Sequence, residues 1–155
     1  MKTLPRLAVI PVAALFLGAC GDPVQPDADP LHDYAGTWEA QTYAWTADDD
    51  PALRHDRIAD GGELHEMTIG HDGTFTQTWT DAAGQETTTT GTVAVQNGSL
   101  AFTNGATGTV DTFGAEIGAD GGLTMTQTGA AGGQWDFGTG MGPQAAGLEA
   151  GFTRR

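Results

Sequence analysis

The segment from Thr74 to Asp81 (TFTQTWTD) alternates threonine with larger side chains, and this alternation constrains the fold more than any other feature. In an extended strand Phe75, Gln77 and Trp79 share one face, and the intervening threonines share the other. A period of two residues is typical of a strand with one buried face. No segment has a sustained helical period of apolar residues. We therefore predict an all-β fold.

Turn-forming residues divide the rest of the chain into further short β segments. The predicted strands cover residues 36–46, 64–70, 74–81, 86–95, 99–103, 107–117, 123–128, 134–138 and 148–153. Asn97-Gly98 is typical of a two-residue hairpin turn. Residues 48–62 are predicted as a polar loop with one helical turn around Pro51 to Arg57, and residues 139–147 as an irregular loop. Sequential hairpins favour a small up-and-down antiparallel barrel of about eight strands, because closure removes exposed strand edges.

The N-terminus has the organisation of an export signal. Lys2 and Arg6 precede an apolar run from Leu7 to Leu17, which is too short for a membrane span of about 20 residues. Leu17-Gly18-Ala19-Cys20 follows and resembles the lipobox of bacterial lipoproteins. That resemblance implies cleavage before Cys20 and a lipid on its thiol. We expect a signal peptide over residues 1–19, a lipidated disordered tether over 20–33, and a β-barrel domain over 34–155.

The charge of the chain restricts its partners. It carries 20 acidic residues against six basic ones, with a formal net charge of −14. A surface this acidic repels nucleic acid and anionic headgroups. We expect a monomer whose contact with the membrane is the lipid on Cys20. Gly21 rather than Asp follows that cysteine, which favours the outer membrane, on its periplasmic face or at the cell surface, over the inner membrane.

Short motifs along the domain are similar to those of lipocalins and related calycin barrels. Gly36-Thr37-Trp38 opens the first strand, Asp72-Gly73-Thr74-Phe75 and Gly91-Thr92-Val93 follow, and Asn97-Gly98-Ser99-Leu100 forms a hairpin. The resemblance covers most of Tyr34 to Thr153. It implies a lipocalin-like barrel in which Trp38 packs at the closed end.

Residue counts argue against several enzyme classes. Ser99 is the only serine and lies in a predicted hairpin rather than at a nucleophile elbow. Cys20 is the only cysteine, and Lys2 is the only lysine. A lipidated Cys20 leaves neither thiol catalysis nor a disulfide. Paired carboxylates such as Glu39 and Glu66 could act as acid and base, but the sequence does not place them opposite each other. We expect no enzymatic activity and no cofactor.

Two kinds of binding site remain open. Aromatic side chains at one end of the barrel could line a site for a small apolar ligand, and the candidates are Trp45, Trp79, Phe102 and Trp135. His65 and His71 are odd-numbered positions of one strand and its turn, and with Met67 they are candidate metal ligands, copper being one suitable ion. The alternative is that these residues only pack within the strand and bind no metal.

The sequence leaves three functional hypotheses for a membrane-anchored lipoprotein. The first is a non-enzymatic domain that binds a small apolar ligand or an envelope partner. The second is a structural or interaction lipoprotein with a filled barrel. The third is a metal-handling envelope protein that uses His65 and His71. A cavity above about 300 Å³ lined by aromatic residues would favour the first, and a solid core the second.

Overall fold

The computed structural model describes residues 29–128 and 133–155, and these residues form ten strands and no helix. Predictions for the signal peptide, the lipobox and Cys20 fall outside the described residues. The strands are β1 Gly36–Ala47, β2 Arg54–Asp56, β3 Leu64–Ile69, β4 Thr74–Thr80, β5 Glu86–Gln96, β6 Ser99–Asn104, β7 Val110–Ile117, β8 Leu123–Gln127, β9 Gln134–Trp135 and β10 Gln144–Arg154.

Eight of these strands close into an antiparallel barrel. The order around the barrel is β1, β3, β4, β5, β6, β7, β8 and β10, and β10 pairs with β1 to close it. The short strands β2 and β9 pair with the outer ends of β1 and β10. The predicted all-β, up-and-down barrel of about eight strands is confirmed.

The local prediction is confirmed for the turn at Asn97-Gly98, which depends on the residues of the turn itself. It is wrong for two segments whose conformation depends on pairing with another strand. Asn97 and Gly98 form the predicted hairpin turn with φ of 51° and 79°. The helical turn around Pro51 to Arg57 is absent, and residues 54–56 form β2 instead. The irregular loop predicted over 139–147 ends early, since β10 begins at Gln144. Gln144 pairs with Trp135, which the sequence of β10 alone does not reveal.

The two ends of the barrel differ, and we name them by their residues. The base is the end at Gly36, Ile69, Thr74, Gln96, Ser99, Ile117, Leu123 and Arg154. The mouth is the end at Ala47, Leu64, Thr80, Glu86, Asn104, Val110, Gln127 and Gln144. Antiparallel alternation places every strand with one terminus at each end.

An apolar core fills the base half of the barrel. Trp38, Met67, Leu100 and Met125 are at most 1% exposed. The Trp38 indole donates a hydrogen bond of 2.8 Å to the Tyr34 carbonyl oxygen. Full burial of Trp38 near the base agrees with the position that the lipocalin resemblance implies. Burial of these side chains is the main stabilising contribution to the fold.

A short turn before β1 packs against the base. Leu31 is only 4% exposed and belongs to the core cluster. The Tyr34 and Ala35 amides donate hydrogen bonds to the Leu31 carbonyl oxygen. The packed part of the chain therefore includes residues 29–33, which the sequence assigned to the tether.

Asp56 fastens the long loop between β1 and β3 onto the barrel. One carboxylate oxygen accepts hydrogen bonds from the backbone amides of Tyr43, Ile58 and Ala59, and the other accepts one from Arg54. Burial raises the pKa of Asp56, but these hydrogen bonds to the ionised form outweigh burial and hold the pKa below its usual value. A charged Asp56 therefore fits its 2% exposure.

Gly91 is the inward position of β5 where the wall leaves no room for a side chain. A Cβ there would lie 1.9 Å from the Thr103 carbonyl oxygen and 2.8 Å from the Phe75 ring. Phe75 pairs directly with Gly91, so its ring occupies the space that a side chain would need.

We predict that Gly91→Ala lowers the free energy of unfolding by about 2 kcal/mol or more, because the backbone of β6 must move. Thr90→Ala, an exposed neighbour on the same strand, should change it by less than about 0.5 kcal/mol. Urea denaturation of both variants measures the difference. Equal stability of the two variants would contradict this account of the barrel wall.

Candidate functional site

The barrel interior opens into a small cavity in its mouth half, which we call the cup. Its volume is about 100 Å³. The residues that line it are Tyr43, Phe75, Gln77, Thr89, Phe102, Asn104, Asp111, Phe113 and Met125. Each is an inward-facing position of its strand, so the two-residue period that builds the core also builds the cup.

Aromatic rings form the deep side of the cup. Phe75 and Phe102 meet edge to face at 5.1 Å between ring centroids, and Phe102 meets Phe113 in the same way at 5.7 Å. Edge-to-face contacts fix ring orientation through the ring quadrupoles. The floor of the cup is therefore rigid and apolar.

Polar side chains form the outer side of the cup. Gln77 pairs with Thr89, and Phe102 pairs with Asp111, which brings the polar ends of β4, β5 and β7 together. Asp111 forms no hydrogen bond or ion pair with any residue that the structure describes. Asp111 was not among the predicted site residues, although it alternates with Phe113 and Ile117 on the inward face of β7.

Tyr43 joins the aromatic and polar sides. Burial raises the pKa of the Tyr43 phenol to about 12; nearby Arg57 opposes the rise and Asp111 adds to it. The phenol therefore stays protonated as a donor. Arg57 is itself paired with Glu63, which leaves Asp111 as the uncompensated charge at the cup.

Of the aromatic residues predicted to bind a ligand, one, Phe102, lies in the cup. The other three lie around the cup, and we call Trp45, Trp79 and Trp135 its rim. Trp45 stacks on Trp135 with 4.3 Å between ring centroids, and His55 also stacks on Trp135, at 5.5 Å. Trp79 stacks on His65 at 4.0 Å, with the Arg57 guanidinium 4.2 Å from the Trp79 ring. The three tryptophans therefore direct ring faces at protein neighbours.

The two histidines predicted as a metal pair are not brought together. His65 is 2% exposed inside the barrel, whereas His71 lies in the turn after β3 with a side chain that is 66% exposed. The four strand steps from His65 to Ile69 alone extend over roughly 13 Å, and His71 lies beyond them in the turn. His71 instead lies 2.6 Å from the Asp29 carboxylate, and its ring centroid is 6.1 Å from that of His32.

Glu39 and Glu66 are cross-strand neighbours on the outer face of the barrel. Arg155 bridges them, at 2.9 Å from the Glu39 carboxylate and in contact with that of Glu66. One arginine thus contacts two carboxylates, and all three side chains are at least 42% exposed, so the arrangement is that of an exposed ion-pair network.

No family model, no curated protein and no solved structure matches this chain. Within the described residues, no helix has the length and hydropathy that crossing a membrane requires.

His65 is a polar group buried without a polar partner. Neither ring nitrogen has a hydrogen-bond partner among the described residues. Burial, assisted by the charge of Arg57, lowers the pKa of His65 to about 3. The folded protein therefore holds a neutral imidazole at pH values where the unfolded chain, with a pKa of about 6.5, takes up a proton.

We predict that His65 makes the fold less stable as pH falls from about 6.5 toward 3, because the unfolded state binds the proton and the folded state does not. The slope from this group is at most about 1.4 kcal/mol per pH unit. The difference in unfolding free energy between His65→Leu and the native chain should rise in favour of the variant over this pH range. A pH-independent difference would contradict the buried neutral state.

Proposed function

We propose that this chain is a lipoprotein of the bacterial cell envelope whose barrel binds a small ligand with a cationic head group in the cup, without chemical conversion. The lipid on Cys20 would hold the domain at the outer membrane. The observation that carries the ligand proposal is the cup itself, where four aromatic rings and one uncompensated carboxylate converge on an open cavity.

The volume of the cup limits what can enter. At about 100 Å³ it is below the about 150 Å³ of a protein cavity that holds benzene. The cup is also below the about 300 Å³ that would favour a ligand held wholly inside the barrel, so an apolar ligand of lipocalin size does not fit the interior. A small head group can enter while the rest of the ligand stays at the mouth.

The lining of the cup favours a positive head group. Aromatic faces attract cations through their quadrupoles, and the attraction is worth about 0.5–2 kcal/mol for each favourable site. Asp111 supplies a full negative charge at the edge of the same cavity. The acidic surface of the domain raises the local concentration of cations further. An amine or quaternary ammonium group satisfies all three features.

Two polar groups of the cup that lack hydrogen-bond partners support a ligand-binding role rather than that of a filled barrel. The Tyr43 hydroxyl and the Asp111 carboxylate have no partners among the described residues. Asp111 is exposed at the opening of the cup, so both groups are available to a ligand that enters from the mouth. The conventional nucleophile Ser99 opens β6 at the base, away from the cup, which supports a binding role rather than a catalytic one.

A partner-binding role for the rim is the second candidate. A recess of about 370 Å³ lies beside Trp135, and it includes Leu53 and Phe137. Aromatic residues in such recesses are frequent energetic centres of protein interfaces. If the cup binds no cation, this rim becomes the better candidate for the function of the domain.

We predict that the full-length chain in neutral detergent binds tetramethylammonium and that Asp111→Asn weakens this binding about tenfold, equivalent to about 1.4 kcal/mol. Titration by NMR should shift the signals of Tyr43, Phe102 and Phe113. Asp120→Asn, an exposed acid at the base, is the matched control and should leave affinity unchanged. Equal affinity for neutral tert-butanol, or no effect of Asp111→Asn, would refute a cation site in the cup.

We predict that Cys20→Ala abolishes palmitate labelling in bacterial cells and moves the protein from the membrane to the soluble fraction, since anchoring depends on the acyl chains. Gly21→Asp is the matched variant. In an enteric host it should keep the label and move from the outer to the inner membrane fraction. Membrane-bound, labelled Cys20→Ala protein would disprove the anchor while leaving the cup untouched.

A further inference from the structure

The base of the barrel carries a cluster of metal-ligating side chains that the cup does not involve. Asp29 and His32 belong to the turn before β1, and His71 belongs to the turn between β3 and β4. One potential ligand atom from each residue lies within 4.8 Å of those from the other two. His71, which is 39 positions after His32 and 42 after Asp29, therefore meets these two residues at one point of the surface.

We infer that Asp29, His32 and His71 form a binding site for a divalent transition-metal cation of the Zn²⁺ type. Two imidazole nitrogens and one carboxylate oxygen are a ligand set that suits Zn²⁺, and three protein ligands leave a coordination position for water. No cysteine or methionine belongs to the cluster, which disfavours Cu(I).

The geometry needs only small movements to accept the ion. Metal–ligand bonds of about 2.0–2.1 Å in a tetrahedral site place neighbouring ligand atoms about 3.3 Å apart. The His71 and Asp29 atoms that now share a hydrogen bond are 2.6 Å apart, so they must separate slightly to admit a metal between them. Both side chains are exposed enough to rotate, at 66% and 34%.

Two further carboxylates lie nearby, Asp72 in the β3–β4 turn and Asp120 in the β7–β8 turn. Asp72 accepts hydrogen bonds from the Thr74 amide and hydroxyl, and Asp120 accepts one from the Gly122 amide. Both carboxylates add negative charge near the cluster, and these hydrogen bonds hold them in their own turns. Three ligands thus remain at the cluster itself.

The cluster lies at the edge of an open recess that also exposes one positive group. The recess has a volume of about 670 Å³ and includes His32, His71 and Arg154. The Arg154 guanidinium lies 4.6 Å from the Trp38 ring and donates a hydrogen bond of 2.6 Å to the Asp33 carbonyl oxygen. These contacts direct its donors at the protein, and Asp33 and Asp120 oppose its charge within the recess.

A metal here would join the N-terminal turn to the barrel. Asp29 lies nine residues after Cys20, so an ion held by Asp29, His32 and His71 would fix the start of the domain to the β3–β4 turn. Binding that is specific to the folded state stabilises that state by mass action. The site is separate from the cup, and neither proposal depends on the other.

The test is calorimetric titration of the full-length chain, purified in neutral detergent without a polyhistidine tag, with Zn²⁺. We expect one ion per chain and a rise in unfolding temperature when Zn²⁺ is present. His32→Ala, His71→Ala and Asp29→Asn should each weaken binding at least about 10-fold, since even supporting residues of metal sites contribute that much. His55→Ala is the matched control, because His55 also lies near an aspartate, at 4.0 Å from Asp60, but at the mouth.

A second measurement separates this site from diffuse attraction to an acidic surface. Zn²⁺ should shift the imidazole NMR signals of His32 and His71 and leave those of His55 and His65 unchanged, and equal concentrations of Mg²⁺ should shift none. The proposal is overturned if Zn²⁺ binds more weakly than about 1 mM. Undiminished affinity in a His32→Ala/His71→Ala double variant with native circular dichroism would overturn it as well.

Discussion

The pairing of β1 with β10 is the interaction on which the rest of the structure depends. It extends from Trp38 opposite Arg154 to Ala47 opposite Ala146, with one irregularity near Gln41. This ladder joins the first and last strands of the meander, so both would otherwise present unpaired edges. Closure also creates an interior, because inward side chains of eight strands then face one another rather than solvent.

Within the closed barrel, the inward-facing side chains change from apolar at the base to more polar at the mouth. The base half holds fully buried apolar side chains such as Trp38 and Leu100, and it accounts for the stability of the fold. The mouth half holds polar inward positions, including Gln77 and Asp111, at the ends of the same strands. The concentration of these polar side chains at one open end, next to the aromatic rings of the cup, is what supports the proposal that a ligand binds there.

The sequence predicted the fold well and the sites only in part. Alternation in β4 and the Asn97-Gly98 turn identified strands and hairpins because both are properties of a few consecutive residues. Of the four aromatic residues predicted to line a ligand site, Phe102 lies in the cup, whereas the faces of Trp45 and Trp135 are directed at each other. His71 was selected as a metal ligand with His65, whereas its neighbours in space are Asp29 and His32. Aromatic stacking and histidine clustering depend on contacts between distant segments, which no local pattern contains.

The sequence by itself determined that this chain is an all-β protein with eight or nine short strands, one strongly acidic domain and few residues capable of nucleophilic chemistry. Those properties depend on composition and on a two-residue period, which the backbone geometry of any strand imposes. Only the tertiary structure decided that Asp111 meets Tyr43 at the cup, and that Asp29 and His32 meet His71 at the base. Strand register and barrel closure bring these residues together, and register is fixed by which faces the whole barrel can bury.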